Sequence, residues 1–148
     1  MFKKKIMFLV FGFLFSSLTL ASDTETGKAK YDKHCQVCHS EKMSPLMKSP
    51  TVHKSDKWLP FVKNSILEAT ENKTTECSGL TKDVKDSKEI KLTDEQIGKL
   101  SNEQKACYLL PIAKKGVMSG GVVMPPKGTC TDCTDEQLTS AISFMLSE

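Results

Sequence analysis

At 148 residues, with 39% hydrophobic residues, one Trp and six Cys, the chain is long enough to bury a core and short enough for one domain. All 21 basic residues are lysine, set against 18 acidic ones, for a formal charge of +3. Nothing in that balance points to nucleic acid, and the absence of arginine argues against a site built for bidentate phosphate recognition.

The first 21 residues read as a secretory signal: Lys3, Lys4 and Lys5, an apolar run from Ile6 to Phe15, then the small-residue exit Thr19-Leu20-Ala21. The run is 10 residues long. That is about half of what a spanning helix needs, so cleavage after Ala21 is expected rather than retention as an anchor or stable membrane insertion. Residues 22–148 then form a single domain of zero formal charge, exported to an oxidising, periplasmic compartment where cysteines pair.

From Thr26 to Cys38 the sequence is helix-compatible, with Gly27 and Tyr31 one turn apart. A glycine there makes physical sense where another helix approaches closely. Next comes Cys35-Gln36-Val37-Cys38-His39. Thiols at i and i+3 and an imidazole at i+4 share one helical face, the spacing of a covalent haem attachment site. Cys35 and Cys38 would bond the vinyl groups and His39 would ligate the iron. A thioredoxin-like redox pair would need a βαβ setting that is missing. A zinc site would need a second ligand pair nearby, and the other Cys-x-x-Cys begins only at Cys130.

A loop follows, carrying Met43, Pro45, Met47, Pro50 and His53. Pro60 suits the first turn of a second helix whose apolar residues are Phe61, Val62, Ile66 and Leu67, and Trp58 is expected against cofactor or core. From about residue 68 to 104 the chain is rich in Lys, Asp, Glu, Ser and Thr and reads as a surface insertion. Its capping boxes Thr93-x-x-Gln96 and Ser101-x-x-Gln104 predict short helices near its end. Cys107 to Lys115 predicts a third helix, with Pro111 as a kink or start and Gly116 as its stop. Glycines then loosen Met118 to Val123, and Pro125 and Pro126 hold an extended segment that places Met124. The last helix begins at the capping box Thr134-x-x-Gln137 and carries an apolar stripe of Leu138, Ala141, Ile142, Met145 and Leu146.

Four cysteines lie outside the haem motif. Cys130 and Cys133 are close enough to close a tight loop, which leaves Cys77 and Cys107 to pair and tie the base of the insertion. For the second axial position Met43 and Met47 follow His39 too closely, Met145 lies on the core stripe and Met118 sits among glycines. Met124 ranks first, His53 is its rival, and His34 reads as a solvated neighbour.

Gly27-x-x-x-Tyr31-x-x-x-Cys35-x-x-Cys38-His39, with Met124-Pro-Pro-Lys-Gly-Thr-Cys-Thr-Asp-Cys133 and the closing Phe144-Met145-Leu146, resembles class I c-type cytochromes, and more narrowly the small bacterial cytochrome c-five type. The resemblance implies an all-α fold wrapped around one haem c, with His39 and Met124 as axial ligands. It also implies a disulfide between Cys130 and Cys133, a Pro50 carbonyl that orients His39, and packing of the first helix on the last near Gly27, Tyr31 and Phe144. The insertion with Cys77 and Cys107 departs from the family pattern.

The expected function is that of a non-enzymatic carrier of single electrons between larger redox proteins, a reductase and an oxidase. Lys114, Lys115 and Lys127 read first as solvated charge, with steering of an acidic partner as the alternative. The rival readings are a haem-based gas sensor and a small haem peroxidase, each needing an open distal site.

Overall fold

Two helices cross at a glycine near one end of the chain, and that crossing positions everything else. The computed structural model describes residues 21–72, 77, 93–119 and 122–148, so residues 1–20, about half of the polar stretch read as an insertion and the Gly120-Gly121 pair lie outside the described residues. Helix α1, Ala21–His34, packs along the last helix, α7, Asp135–Leu146. At Gly27 a Cβ would overlap the backbone carbonyl oxygen of Ser140, so only glycine permits this approach. One turn on, the buried Tyr31 ring meets Phe144 with centroids 5.3 Å apart.

Helix α1 stops at His34 instead of continuing to Cys38. Cys35 sits at the break, and a single turn, α2, Gln36–His39, follows it. The helical path survives the break: the Cys35 N–H donates to Tyr31 O at 2.9 Å and the His39 N–H donates to Cys35 O at 3.0 Å. A short α3, Ser44–Met47, starts with Pro45 in its first turn and ends at Lys48 in the left-handed region.

Helix α4 spans Ser55–Asn72, so it begins five residues before Pro60 and holds that proline inside. The carbonyl that Pro60 leaves without a helical donor belongs to the exposed Asp56, where solvent can replace the bond. Trp58 favours the early start, because its ring is buried and its indole N–H donates to Thr51 O at 2.8 Å.

Near the end of the polar stretch come α5, Asp94–Gly98, and α6, Asn102–Lys115, each opened by a complete capping box, Thr93 with Gln96 and Ser101 with Gln104. The stretch from Ser101 to Lys115 is thus one helix, not a short turn followed by a separate helix from Cys107. Ile97 and Leu100 are buried with Val62, Ile66, Ala106 and Leu109, so the far end of the polar stretch supplies core side chains. Gly116, at φ 78°, ends α6.

The described residues on either side of Gly120-Gly121 form paired strands. Strands β1, Val117–Ser119, and β2, Val122–Met124, pair antiparallel with Val117 opposite Met124. A 3₁₀ turn, Pro126–Thr129, and the Cys130 to Cys133 loop lead to Thr134, whose capping box with Gln137 starts α7. The fold is therefore all-α with one small hairpin.

Candidate haem site

His39 is held from three directions. Its ring is buried beside Trp58, with centroids 5.3 Å apart and planes 18° from parallel. Its backbone carbonyl accepts from the Val52 N–H at 2.8 Å. Its Nδ1 donates to Pro50 O at 2.8 Å. A carbonyl can only accept, so the proton resides on Nδ1 and the lone pair of Nε2 is left for a metal. Burial lowers the pKa of this imidazole and the Pro50 bond opposes that only in part, so the ring is poised as a neutral ligand.

The loop between α2 and α4 serves this arrangement. Ser49 Oγ donates to Cys38 O, and the Ser44 and Thr51 hydroxyls hydrogen-bond at 2.5 Å. These contacts hold Pro50 over the imidazole, a role for Ser44, Ser49 and Thr51 that no periodicity in the sequence announces. Neither Cys35 nor Cys38 is joined in a disulfide, and burial, followed by the neighbouring Cys38, pushes the Cys35 thiol, where it is unmodified, up to about 11.

An apolar cleft is lined by Cys38, His39, Trp58, Leu109, Met124 and Ile142 among others. An adjoining opening is lined by His34 and Cys35, and again by Cys38, His39 and Met124. Two thiols, a neutral imidazole and a thioether thus face apolar walls, a donor set and surrounding that fit haem c. When bound, that group supplies reversible one-electron chemistry at iron. Cys35 and Cys38 would hold it through thioether bonds, and His39 would offer Nε2 to the iron.

Met124 ends β2 just before Pro125, whose φ and ψ of −65° and 154° are extended. Gly116 lets the chain close there, since a Cβ on it would lie 2.6 Å from Met124 O. Met47 and Met145 also line the cleft, Met47 at 37% exposed and Met145 within the core. Met118 is on the surface. His53 does not line it: its Nδ1 lies 2.6 Å from Ser147 O and its ring meets Phe144 edge-on. Of the three lysines named for steering, Lys114 pairs with Asp135 at 2.7 Å and Lys127 donates to Cys133 O at 2.9 Å, while Lys115 is exposed. Disulfides join Cys77 to Cys107, with Cα atoms 5.8 Å apart, and Cys130 to Cys133, with Cα atoms 5.4 Å apart.

A helical domain closed by the α1–α7 crossing, carrying a Cys-x-x-Cys-His turn on an apolar cleft, is a class I c-type cytochrome. Over residues 22–145 the chain matches the family described as cytochrome c oxidase, cbb3-type, subunit III, and it belongs to that family. It binds haem c covalently through this domain. It is also similar to cytochrome c5 of Azotobacter vinelandii, 57% identical over 28 residues that make up 19% of this chain and 34% of that protein. The chain thus spans about a third of that relative's length. No solved structure matches. Among the described residues, no helix is long and apolar enough to cross a membrane.

Proposed function

We propose that the protein is an exported, single-haem electron carrier in which the iron lies between His39 and Met124 and passes one electron at a time between larger redox proteins, a reductase and an oxidase. The observation that supports it is that His39 and Met124 line one apolar cleft together with Cys38. With both axial positions filled by side chains there is no place for a substrate, which makes the protein a carrier and not a catalyst. The neutral thioether and the apolar walls both favour the ferrous state and a higher potential. Partner contact is small and transient, as suits redox encounters, and falls on the exposed Met47, Phe61 and Val123 around the cleft.

Met124→Ala tests the reading. Haem should stay attached under denaturing conditions, because Cys35 and Cys38 are untouched, while the weak sulfur-to-ferric-iron absorption band disappears and the potential falls. A band that persists in Met124→Ala and vanishes in Met47→Ala would move the ligand to Met47. Rapid carbon monoxide binding by the ferrous wild type at neutral pH would replace the carrier by a gas sensor or peroxidase. For export, the mass of the protein recovered from the periplasm should begin at Ser22.

A further inference from the structure

The α1–α7 crossing brings His34, the last residue of α1, against the loop that precedes α7. A ring nitrogen of His34 and the sulfurs of Cys130 and Cys133 all lie within 4.8 Å of one another. Both cysteines are buried, at 1% and 2% exposed, against Leu110 and Leu138. Among the described residues no hydrogen bond engages the His34 imidazole. Asp132 adds a carboxylate oxygen 3.6 Å from the Cys130 sulfur.

Hydrogen bonds hold this loop alongside its disulfide. Lys127 Nζ donates to the carbonyls of Thr131, at 3.3 Å, and Cys133, at 2.9 Å. The Cys133 N–H donates to Cys130 O at 3.3 Å, and Thr134 caps α7 immediately afterwards. Opening the sulfur–sulfur bond therefore leaves two thiols held on one turn, facing an imidazole.

We propose that Cys130, Cys133 and His34 form a redox-gated site for a thiophilic divalent ion of the zinc class, closed in the disulfide form and open in the dithiol form. A dithiol reductant opens it by exchange: its two thiols become a disulfide, and the Cys130–Cys133 bond takes up two electrons and two protons to give two thiols. One Zn²⁺ then displaces both thiol protons and binds two thiolates and a His34 ring nitrogen, with Asp132 or water as the fourth ligand. Tetrahedral zinc at ~2.3 Å from sulfur and ~2.0 Å from nitrogen sets its ligand atoms about 3.3–3.8 Å apart. From separations of at most 4.8 Å, the imidazole and the two sulfurs reach these distances by side-chain rotation. Sulfur and nitrogen donors select against Mg²⁺ and Ca²⁺. Two thiolates cancel the charge of the ion, so the loaded site is as neutral as the disulfide it replaces beside Leu110 and Leu138. None of this depends on which residue is the second axial ligand of the haem.

The test uses the haem-loaded protein, in which Cys35 and Cys38 are thioethers and cannot compete. The protein is reduced with a phosphine, desalted without oxygen and titrated with Zn²⁺ alone, with native mass spectrometry and a chelator competition as readouts. The dithiol form should gain one zinc and lose two protons, the disulfide form should gain none, and reoxidation should release the ion. His34→Ala should weaken binding at least tenfold, and Cys130→Ser with Cys133→Ser should abolish it. Cys77→Ser with Cys107→Ser should leave it intact. Undiminished affinity in His34→Ala, zinc uptake by the disulfide form, or a Cys130–Cys133 bond that excess phosphine cannot open in the folded protein would each overturn the proposal.

Discussion

A buried imidazole with one nitrogen tied to a backbone carbonyl can act only through the other, so Pro50 decides which face of His39 is chemically available. Gly27 has the same kind of authority over packing. Gly27→Ala should cost about 1–3 kcal/mol, since the new methyl group meets the Ser140 backbone and not a flexible side chain. Gly98→Ala, at a helical position with nothing within 4 Å of the added carbon, should instead gain about 0.5–1 kcal/mol. Denaturant midpoints of the two variants measure the contrast, and equal effects would refute the crossing contact. Glu103 sets a pH dependence. Its carboxylate accepts from its own backbone N–H, from the Ser101 hydroxyl and from Ser143, and those bonds hold its pKa below the ordinary value. A folded pKa below the unfolded one adds stability above the unfolded value, and that stability is lost as pH falls through the folded value. Glu103→Gln should therefore destabilise by a few tenths of a kcal/mol near pH 7, because the group is exposed to solvent, and by nothing once the pH is low enough to protonate the wild-type side chain.

Among the elements, three helices open with complete capping boxes, at Thr93, Ser101 and Thr134. Thr134→Ala should cost about 1 kcal/mol by thermal or chemical unfolding. It should also loosen the Cys130 to Cys133 loop that runs into this cap, seen as faster amide exchange there. The Cys77–Cys107 bond ties the start of the polar stretch to α6, where the Tyr108 hydroxyl also donates to Cys77 O at 3.4 Å. Replacing both cysteines by Ser should lower stability by up to about 3.5 kcal/mol in the chain-entropy picture. It should also raise protease sensitivity between Glu68 and Gln104 while the haem spectrum stays nearly unchanged. Cleavage at wild-type rates, or a peptide linking Cys77 to Cys130, would contradict this.

For the whole molecule, the even balance of charge in residues 22–148 means that steering of a partner depends on where individual lysines are free to act. Lys114 and Lys127 are engaged within the domain, and Lys115 is exposed beside the hollow lined by Phe61, Val123 and Met124. Lys115→Glu should slow electron exchange with an acidic partner by about two- to fivefold at low salt, with the difference vanishing at high salt. A salt-independent effect would mean a lost contact and not lost steering.

What the sequence determines by itself is whatever the period of one helix or a few bonded neighbours can encode. The attachment turn Cys35 to His39, the three capping boxes and the apolar stripe of α7 are of this kind, because every partner lies within a few positions. Pro60 misplaces the start of α4, since the buried Trp58 and its bond to Thr51 outweigh a proline preference. The burial of Ile97 and Leu100 escapes a reading by composition, because two apolar side chains in a polar stretch carry no pattern until helices α4 and α6 close on them. The hairpin is equally silent, with three residues in each strand. Only tertiary structure sets Met124 and Met47 in the cleft of His39 while turning His53 toward Ser147, and only it brings His34 to Cys130 and Cys133. No local periodicity relates residues so far apart in the chain; the close crossing that Gly27 permits does.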